Sequence, residues 1–496
     1  MGVIQRQTLK NNALAIVGVL IGVYSQLKIY PEDLALKGML DGVIYSAMLI
    51  APILVFGMSS LMIRVLPYAT DVKETSASRL LAMGTVVVVG VTVLVAAFNY
   101  FLGTYIFAWL MARKFDVSVF IEYNWLILGL AFLGALRAIY IAHANNFQRI
   151  ALPVFFENLI PKIGVPLIVL AVVYGLVPRE TSVGWQVVVY GLATLGTVVY
   201  GLATGGWKFQ LKPVNLDGIS RKEMGLIALF GILTTVGTRL VTYTDGLMVL
   251  SMIGKDEMAI YTFSAFVALI MNIPARAVNQ VAAPIVAGHW KDQRIAEMGT
   301  LYRETSEVLF VIGAVLLTGI IILLPYVYQI TDKTGQYAPG YWVAVVLGMA
   351  QLVESMTSIN NSIITYTAYY RWNSVFLFAL GVANVAMNFL LIRYFGLGLV
   401  GAAIASFLAI GCYNLVKVVF IWWKLGIHPF SLPQLFSAVG LVLIGAVVYS
   451  LPFPDGGVLN ILFRGGLIAV LSALYFWFTS AAPNVRRIMK ERTFLK

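Results

Sequence analysis

Leu80–Met111 reads LLAMGTVVVVGVTVLVAAFNYFLGTYIFAWLM, without one Asp, Glu, Lys or Arg. A helix crosses the hydrocarbon core of a bilayer with about 20 apolar residues, so this run predicts a transmembrane helix. Outward from it, polar or Pro/Gly punctuation divides the chain into about fourteen runs of the same kind. They cover 11–30, 40–66, 80–111, 120–143, 151–175, 185–205, 224–253, 257–287, 300–327, 341–366, 372–395, 400–423, 434–451 and 459–480. Composition agrees. The 496 residues are 60% hydrophobic and 11% charged, with a mean hydropathy of +0.88. Soluble domains carry about 25% charged residues, and single soluble cores stop growing near 250–300 residues. A water-soluble enzyme, a disordered chain and a disulfide-stapled protein are excluded. The reading is an all-α polytopic membrane protein with about 14 transmembrane helices.

The formal net charge of +12 comes from cations scattered singly or in pairs between apolar runs. That pattern suits an anionic cytoplasmic leaflet rather than nucleic acid. Arg6 and Lys10 precede a first apolar run too long for a signal-peptide core and lacking a small-x-small cleavage site, so it reads as an uncleaved span. With both termini cytoplasmic, the inner side gathers most Lys and Arg, among them Arg64, Arg79, Arg137, Arg149, Arg276, Arg371, Lys417 and the basic tail from Arg486. The outer side holds few, including Lys28, Lys37, Arg179 and Arg464. This asymmetry predicts an even number of spans. Cys412, the single cysteine, lies in an apolar run, which predicts a packing role.

Shifting the chain on itself by 222 residues superposes Ala51-Pro52 on Ile273-Pro274 and Arg149 on Arg371. Lys162/Pro166 then fall on Asn384/Asn388. Two six-helix lobes follow, 1–205 and 222–425, joined by a linker at 206–221 and followed by two further helices and a basic tail at 426–496. Six is even, so the repeat is parallel, with a pseudo-twofold along the membrane normal and a site between the lobes. The linker predicts an interfacial amphipathic helix.

Motifs for soluble chemistry fail. Gly396-Leu-Gly398-Leu-Val-Gly401 fits GxGxxG but joins two membrane spans, so it reads as a tight turn. His143, His289 and His428 sit on separate segments without HExxH or CxxC, so neither a metal site nor a catalytic residue is assigned. No P-loop is present.

Ionisable groups at bilayer depth are costly and point to function. Arg239 and Asp245 lie in the seventh span, six residues apart and off one another's face, so each is expected to find a partner across the cavity. Glu354 sits in a stripe of Gln351, Ser358, Asn361 and Thr365 whose spacing is one helical face. Asn384 and Asn388, Asn272 with Asn279, and Lys162 add polar lining in other spans. The competing explanation for the neutral residues is ordinary interhelical hydrogen bonding, worth about 0.6 kcal/mol each. Arg64, Arg137 and Arg276 near inner helix ends, with a deeper Arg239, form a cationic vestibule suited to phosphate or pyrophosphate.

Several segments carry a family resemblance. They are Gly57–Pro67 (GMSSLMIRVLP), Ala259–Phe263 (AIYTF), Ile273–Pro284 (IPARAVNQVAAP), Ser358–Tyr366 (SINNSIITY) and Phe395–Ser406 (FGLGLVGAAIAS). Together they resemble the polysaccharide (Wzx-type) flippases of the multidrug/oligosaccharidyl-lipid/polysaccharide (MOP) exporter superfamily. The resemblance implies a flippase, not an enzyme. It would move undecaprenyl-pyrophosphate-linked oligosaccharide across the bacterial cytoplasmic (inner) membrane by alternating access, for O-antigen, capsule or exopolysaccharide. It also implies Arg64, Arg137, Arg239 and Arg276 as head-group ligands, Glu354 and Asp245 as sites for a coupling Na⁺ or H⁺, and no other cofactor. Membrane lipids and polysaccharide polymerase or assembly proteins are the implied partners of a monomer. Alternatives are a multidrug/cation antiporter, a lipid II flippase and a membrane-embedded glycan polymerase or ligase. Drug exporters of the superfamily commonly carry an acid in the first helix; span 11–30 has none. A polymerase would need a large outer loop, and every outer loop is short.

Overall fold

In the computed structural model, the residues described are 17–149, 151–204, 210–331, 335–453 and 456–491. Among them every regular element is helical, apart from an isolated antiparallel bridge between Ala69 and Leu216. Helix α1 (17–24) widens into a π-helical turn at Ser25–Ile29, and α2 (Leu34–Val55) and α3 (Met58–Val65) follow. Next come α4 (Lys73–Ala112), a short α5 (Ser118–Glu122), α6 (Asn124–Asn146), α7 (Ala151–Val173) and α8 (Ser182–Thr204). The chain continues through α9 (Arg221–Met252), α10 (Lys255–Leu269), α11 (Asn272–Lys291) and α12 (Ile295–Thr331). It ends in α13 (Tyr341–Met356), α14 (Ile359–Tyr366), α15 (Tyr370–Asn388), α16 (Gly398–Leu425), α17 (Leu432–Ser450), α18 (Gly457–Phe478) and α19 (Pro483–Glu491).

Among the described residues, eleven helices are long and apolar enough to cross a membrane, or up to 13 when each of two bent pairs counts as one span. The sequence-derived span 11–30 falls partly outside the described residues; its described part is helical. The protein is a multi-pass membrane protein. Val93, Leu94, Phe98, Tyr100, Phe101 and Tyr105 of α4 all stand exposed, an apolar surface of the kind that lipid covers.

Three sequence-derived spans are broken. The second ends α2 at Phe56 and Gly57, both left-handed at φ 50° and 73°. A Cβ on Gly57 would lie 2.3 Å from the carbonyl oxygen of Ala228 on α9, so the break is also a close crossing. The eighth bends 45° between α10 and α11. Pro274, in the first turn of α11, clashes with a continuous helix through the carbonyl of residue 270. The tenth bends 42° between α13 and α14. The stripe from Gln351 to Thr365 therefore runs over two helices, not one face of one.

The chain forms two compact units, Met1–Ala259 and Ile260–Lys496, and the division falls inside α10. In the first unit α2 packs against α4, α6 and α9, with Leu36, Leu40, Val43, Ala47 and Leu54 at 0% exposure. In the second, α13 packs against α12 and α16. The 222-residue offset recurs in helix starts: Lys73 and Ile295 open α4 and α12, and Leu34 and Lys255 match to within one residue.

Some local expectations need correction. Residues 210–220 of the linker are not an amphipathic helix. They run extended along the α3–α4 loop, where Asp217 N donates to Tyr68 O at 2.9 Å and Arg79 holds both Asp71 and the Pro213 carbonyl. Ser220 then caps α9 in a capping box with Glu223. Cys412 is exposed rather than packed, because it lies on the face of α16 opposite Asn414 and Lys417. Lys37, Lys417 and Arg464, read as loop or leaflet cations, are all buried on helices, where side chains or carbonyls surround them. By contrast, Gly396 and Gly398 adopt positive φ (64° and 54°) in the turn into α16, as the GxGxxG reading required.

Candidate functional site

In the first unit, Lys37, Asp41 and Tyr45 recur every fourth residue of α2 and therefore share a face. Lys37 and Asp41 form a buried ion pair, and the Lys37 ammonium also lies 4.6 Å over the Tyr30 ring. The Tyr45 ring sits 4.7 Å from that of Tyr243 on α9. Arg239 Nη1 donates to the Tyr243 hydroxyl at 2.9 Å. Arg239 thus meets this partner one turn along its own helix, not across a cavity. Asp245, 6% exposed, lies on α9 within electrostatic range of Tyr45, as does Asp41. Gly246 permits this crossing, since a Cβ there would meet the Tyr45 ring at 2.9 Å.

Arg137 on α6 is 4% exposed. Its Nε lies 3.9 Å from Glu157 Oε1 on α7, its guanidinium 5.7 Å over the Tyr190 ring of α8, and its Nη1 makes no hydrogen bond among the described residues. These contacts link α6 to α7 and α8 through one buried guanidinium. Lys162 on α7 is half-buried against Gly18 of α1. Arg64 is exposed in the last turn of α3. A cavity of about 390 Å³ opens at that end of α3, lined by Ile63, Pro67, Asp71, Lys73 and Asn146 among others.

In the second unit, Asn272 of α11 donates to Gln351 of α13 at 2.5 Å, joining two residues singled out in sequence. Arg276 is exposed one turn on, and Asn279 is half-buried. Glu354 Oε2 accepts from Asn414 Nδ2 of α16 at 2.6 Å. Asn361 Oδ1 on α14 accepts from Lys417 Nζ at 2.9 Å and from the Tyr413 hydroxyl at 3.3 Å, both on α16. Lys417 is at 0% exposure and lies 3.9 Å over the Tyr413 ring. Ser358 is buried at the α13–α14 break with no hydrogen-bond partner for its hydroxyl among the described residues.

Asn384 and Asn388 are both at 0% exposure. Asn384 Nδ2 donates to Ser406 Oγ at 3.1 Å, and Asn388 Nδ2 to the Asn384 carbonyl at 2.9 Å. The Asn384–Ser406 bond ties α15 to α16, as interhelical hydrogen bonding does. Sequence reasoning missed Lys37, Asp41, Tyr413, Asn414 and Lys417. The available signal was spacing: Lys37/Asp41 at i,i+4 and Asn414/Lys417 at i,i+3, inside runs otherwise apolar.

No protein-family model and no curated protein sequence matches the chain. Solved structures do match. A lipid II flippase MurJ in an inward closed conformation superposes with a TM-score of 0.72 at 14% identity, covering 94% of this chain and 98% of that one. An inward-facing multidrug-resistance MATE transporter of the MOP superfamily gives 0.62 at 15% identity over 85% and 94%. A MOP-superfamily transporter from Pyrococcus furiosus, described as having a reversed pocket polarity, gives 0.54 at 14% identity over 86% and 95%. At these identities the likeness is one of fold, and it extends over nearly the whole chain: the protein has the fold of the MOP-superfamily transporters.

Proposed function

We propose that the protein is a transporter that flips a lipid-linked oligosaccharide, undecaprenyl-pyrophosphate-linked, from the inner to the outer leaflet of the bacterial cytoplasmic membrane. The observation that carries this reading is the whole-chain likeness to a lipid II flippase, at a higher TM-score than the inward-facing MATE transporter gives. It favours a lipid-borne substrate over a free drug cation. Lipid II itself is the second reading, supported by the same likeness. On this proposal Arg64 and Arg276, both exposed, receive pyrophosphate, whose oxygens suit bidentate guanidinium donors. Arg239 acts deeper, held by Tyr243. Glu354 and Asp245 carry the coupling to Na⁺ or H⁺, with both termini in the cytoplasm.

The test follows the lipid-linked glycan in cells lacking the protein. Complete units should accumulate on the inner leaflet while surface polysaccharide disappears. The wild-type gene should reverse this, and Arg239→Ala or Glu354→Gln should not, despite normal folding. Normal surface polysaccharide with full cell-wall arrest would transfer the assignment to lipid II. Normal delivery of both would end the flippase reading.

A further inference from the structure

Lys417 is the most deeply buried cation among the described residues, at 0% exposure, and its hydrogen bond goes to a neutral amide, Asn361 Oδ1, rather than to a carboxylate. A buried ammonium is costly and persists only where charge compensates it. The compensating charge is Glu354 on α13, which acts electrostatically on both Lys417 and Tyr413 and is tied to α16 through Asn414. Around the ammonium stand the Asn361 oxygen, the Tyr413 hydroxyl on that same oxygen and the face of the Tyr413 ring. The Asn414 Oδ1 atom is also buried and has no hydrogen-bond partner among the described residues. Oxygen atoms of this kind, next to one carboxylate, are the ligands a hard monovalent cation takes.

We propose that Lys417 is a tethered cation: its ammonium occupies, for Glu354, the role that a free alkali cation would otherwise fill. The charge count supports it. Glu354 and Lys417 together are neutral, and a free cation added to them would leave a net positive charge in a low-dielectric interior. Removing the ammonium leaves an uncompensated carboxylate with neutral oxygens already placed beside it. The inference rests on the reading of Glu354 as a coupling residue and sharpens it, since coupling through this cluster would then not use free Na⁺.

The experiment is equilibrium binding of radioactive ²²Na⁺ to the purified full-length protein in detergent, at neutral pH. The wild type should show no Na⁺ binding that Glu354→Gln removes. Lys417→Met should gain about one Na⁺ per protein, lost again in the Lys417→Met/Glu354→Gln double variant. Lys417→Gln, which keeps a donor for Asn361, serves if the methionine variant does not elute as a folded species. Wild-type binding that depends on Glu354, or no gain in a folded Lys417 variant, overturns the proposal. No transport is measured, so the binding result stands even where Glu354→Gln leaves export intact and the coupling reading fails.

Discussion

Arg464 offers a demanding test of the second unit. Its guanidinium, 6% exposed on α18, donates to the carbonyls of Val448 at 2.5 Å, Tyr449 at 3.2 Å and Leu451 at 3.0 Å, and to Asn460 Oδ1 at 3.0 Å. The first two carbonyls belong to the last turn of α17 and the third follows it, so one arginine caps a helix C-terminus whose oxygens carry partial negative charge. Arg464→Leu removes all of this. Tyr449 and Leu451 are exposed enough for water to replace the lost donor, but Val448 is at 0% exposure and its carbonyl stays dry. An orphaned buried acceptor costs about 1–3 kcal/mol and a lost C-terminal charge about 0.3–1 kcal/mol, so the expected loss is about 3 kcal/mol. At about 2–4 °C per kcal/mol for a unit of this size, Tm should fall by roughly 6–12 °C. The assay is thermal unfolding in detergent, followed by fluorescence-detected size exclusion. Arg464→Lys keeps the charge but not the fork of donors and should lose about half as much. A Tm for Arg464→Leu within about 2 °C of wild type would refute the capping argument.

The other predictions concern the first unit and the loops. A Cβ at Gly38 would lie 1.8 Å from the Lys255 carbonyl oxygen, a backbone atom that cannot swing away, so Gly38→Ala should abolish monodisperse folded protein. Gly90→Ala, with open space at its Cβ, should stay within about 0.5 kcal/mol of wild type. Gly57→Ala meets both a positive φ of 73° and the Ala228 carbonyl at 2.3 Å, and should cost more than Gly90→Ala in the same thermal assay. Asp116, in the α4–α5 loop, accepts the Ser118 amide at 2.9 Å, which holds its carboxyl below the usual carboxylate range. A depressed folded value stabilises above the unfolded one, near 3.9, and the gain fades as pH falls through the lower folded value. Asp116→Asn should therefore lower Tm slightly at neutral pH, and the two melting temperatures should converge in acid.

How far the sequence reached differs between the spans and the charges they carry. Runs such as Leu80–Met111 gave the helices directly, because a bilayer interior leaves the backbone no water to bond and favours helices for every apolar run of sufficient length. The breaks were less legible. Pro274 marks one of them, but the α2–α3 break depends on Gly57 passing against Ala228, a residue far along the chain. Of the polar residues singled out, Asn272 and Gln351 do meet, and Glu354 and Asn361 are each engaged from α16. Asn384 and Asn388 are buried in an interhelical hydrogen-bonded contact, which periodicity cannot tell from a cavity wall.

By itself, then, the sequence determined the membrane, the helices and their approximate number, since those follow from local hydrophobicity over lengths comparable with the bilayer. Only the tertiary structure decided which cations are surface anchors and which are internal. Lys37 against Asp41, Lys417 against Asn361 and Tyr413, and Arg464 against the end of α17 all read in sequence as charges to be kept outside. A charge is tolerable in a low-dielectric interior only where specific partners surround it. For Lys417 and Arg464 those partners include groups on neighbouring helices that no local pattern reveals.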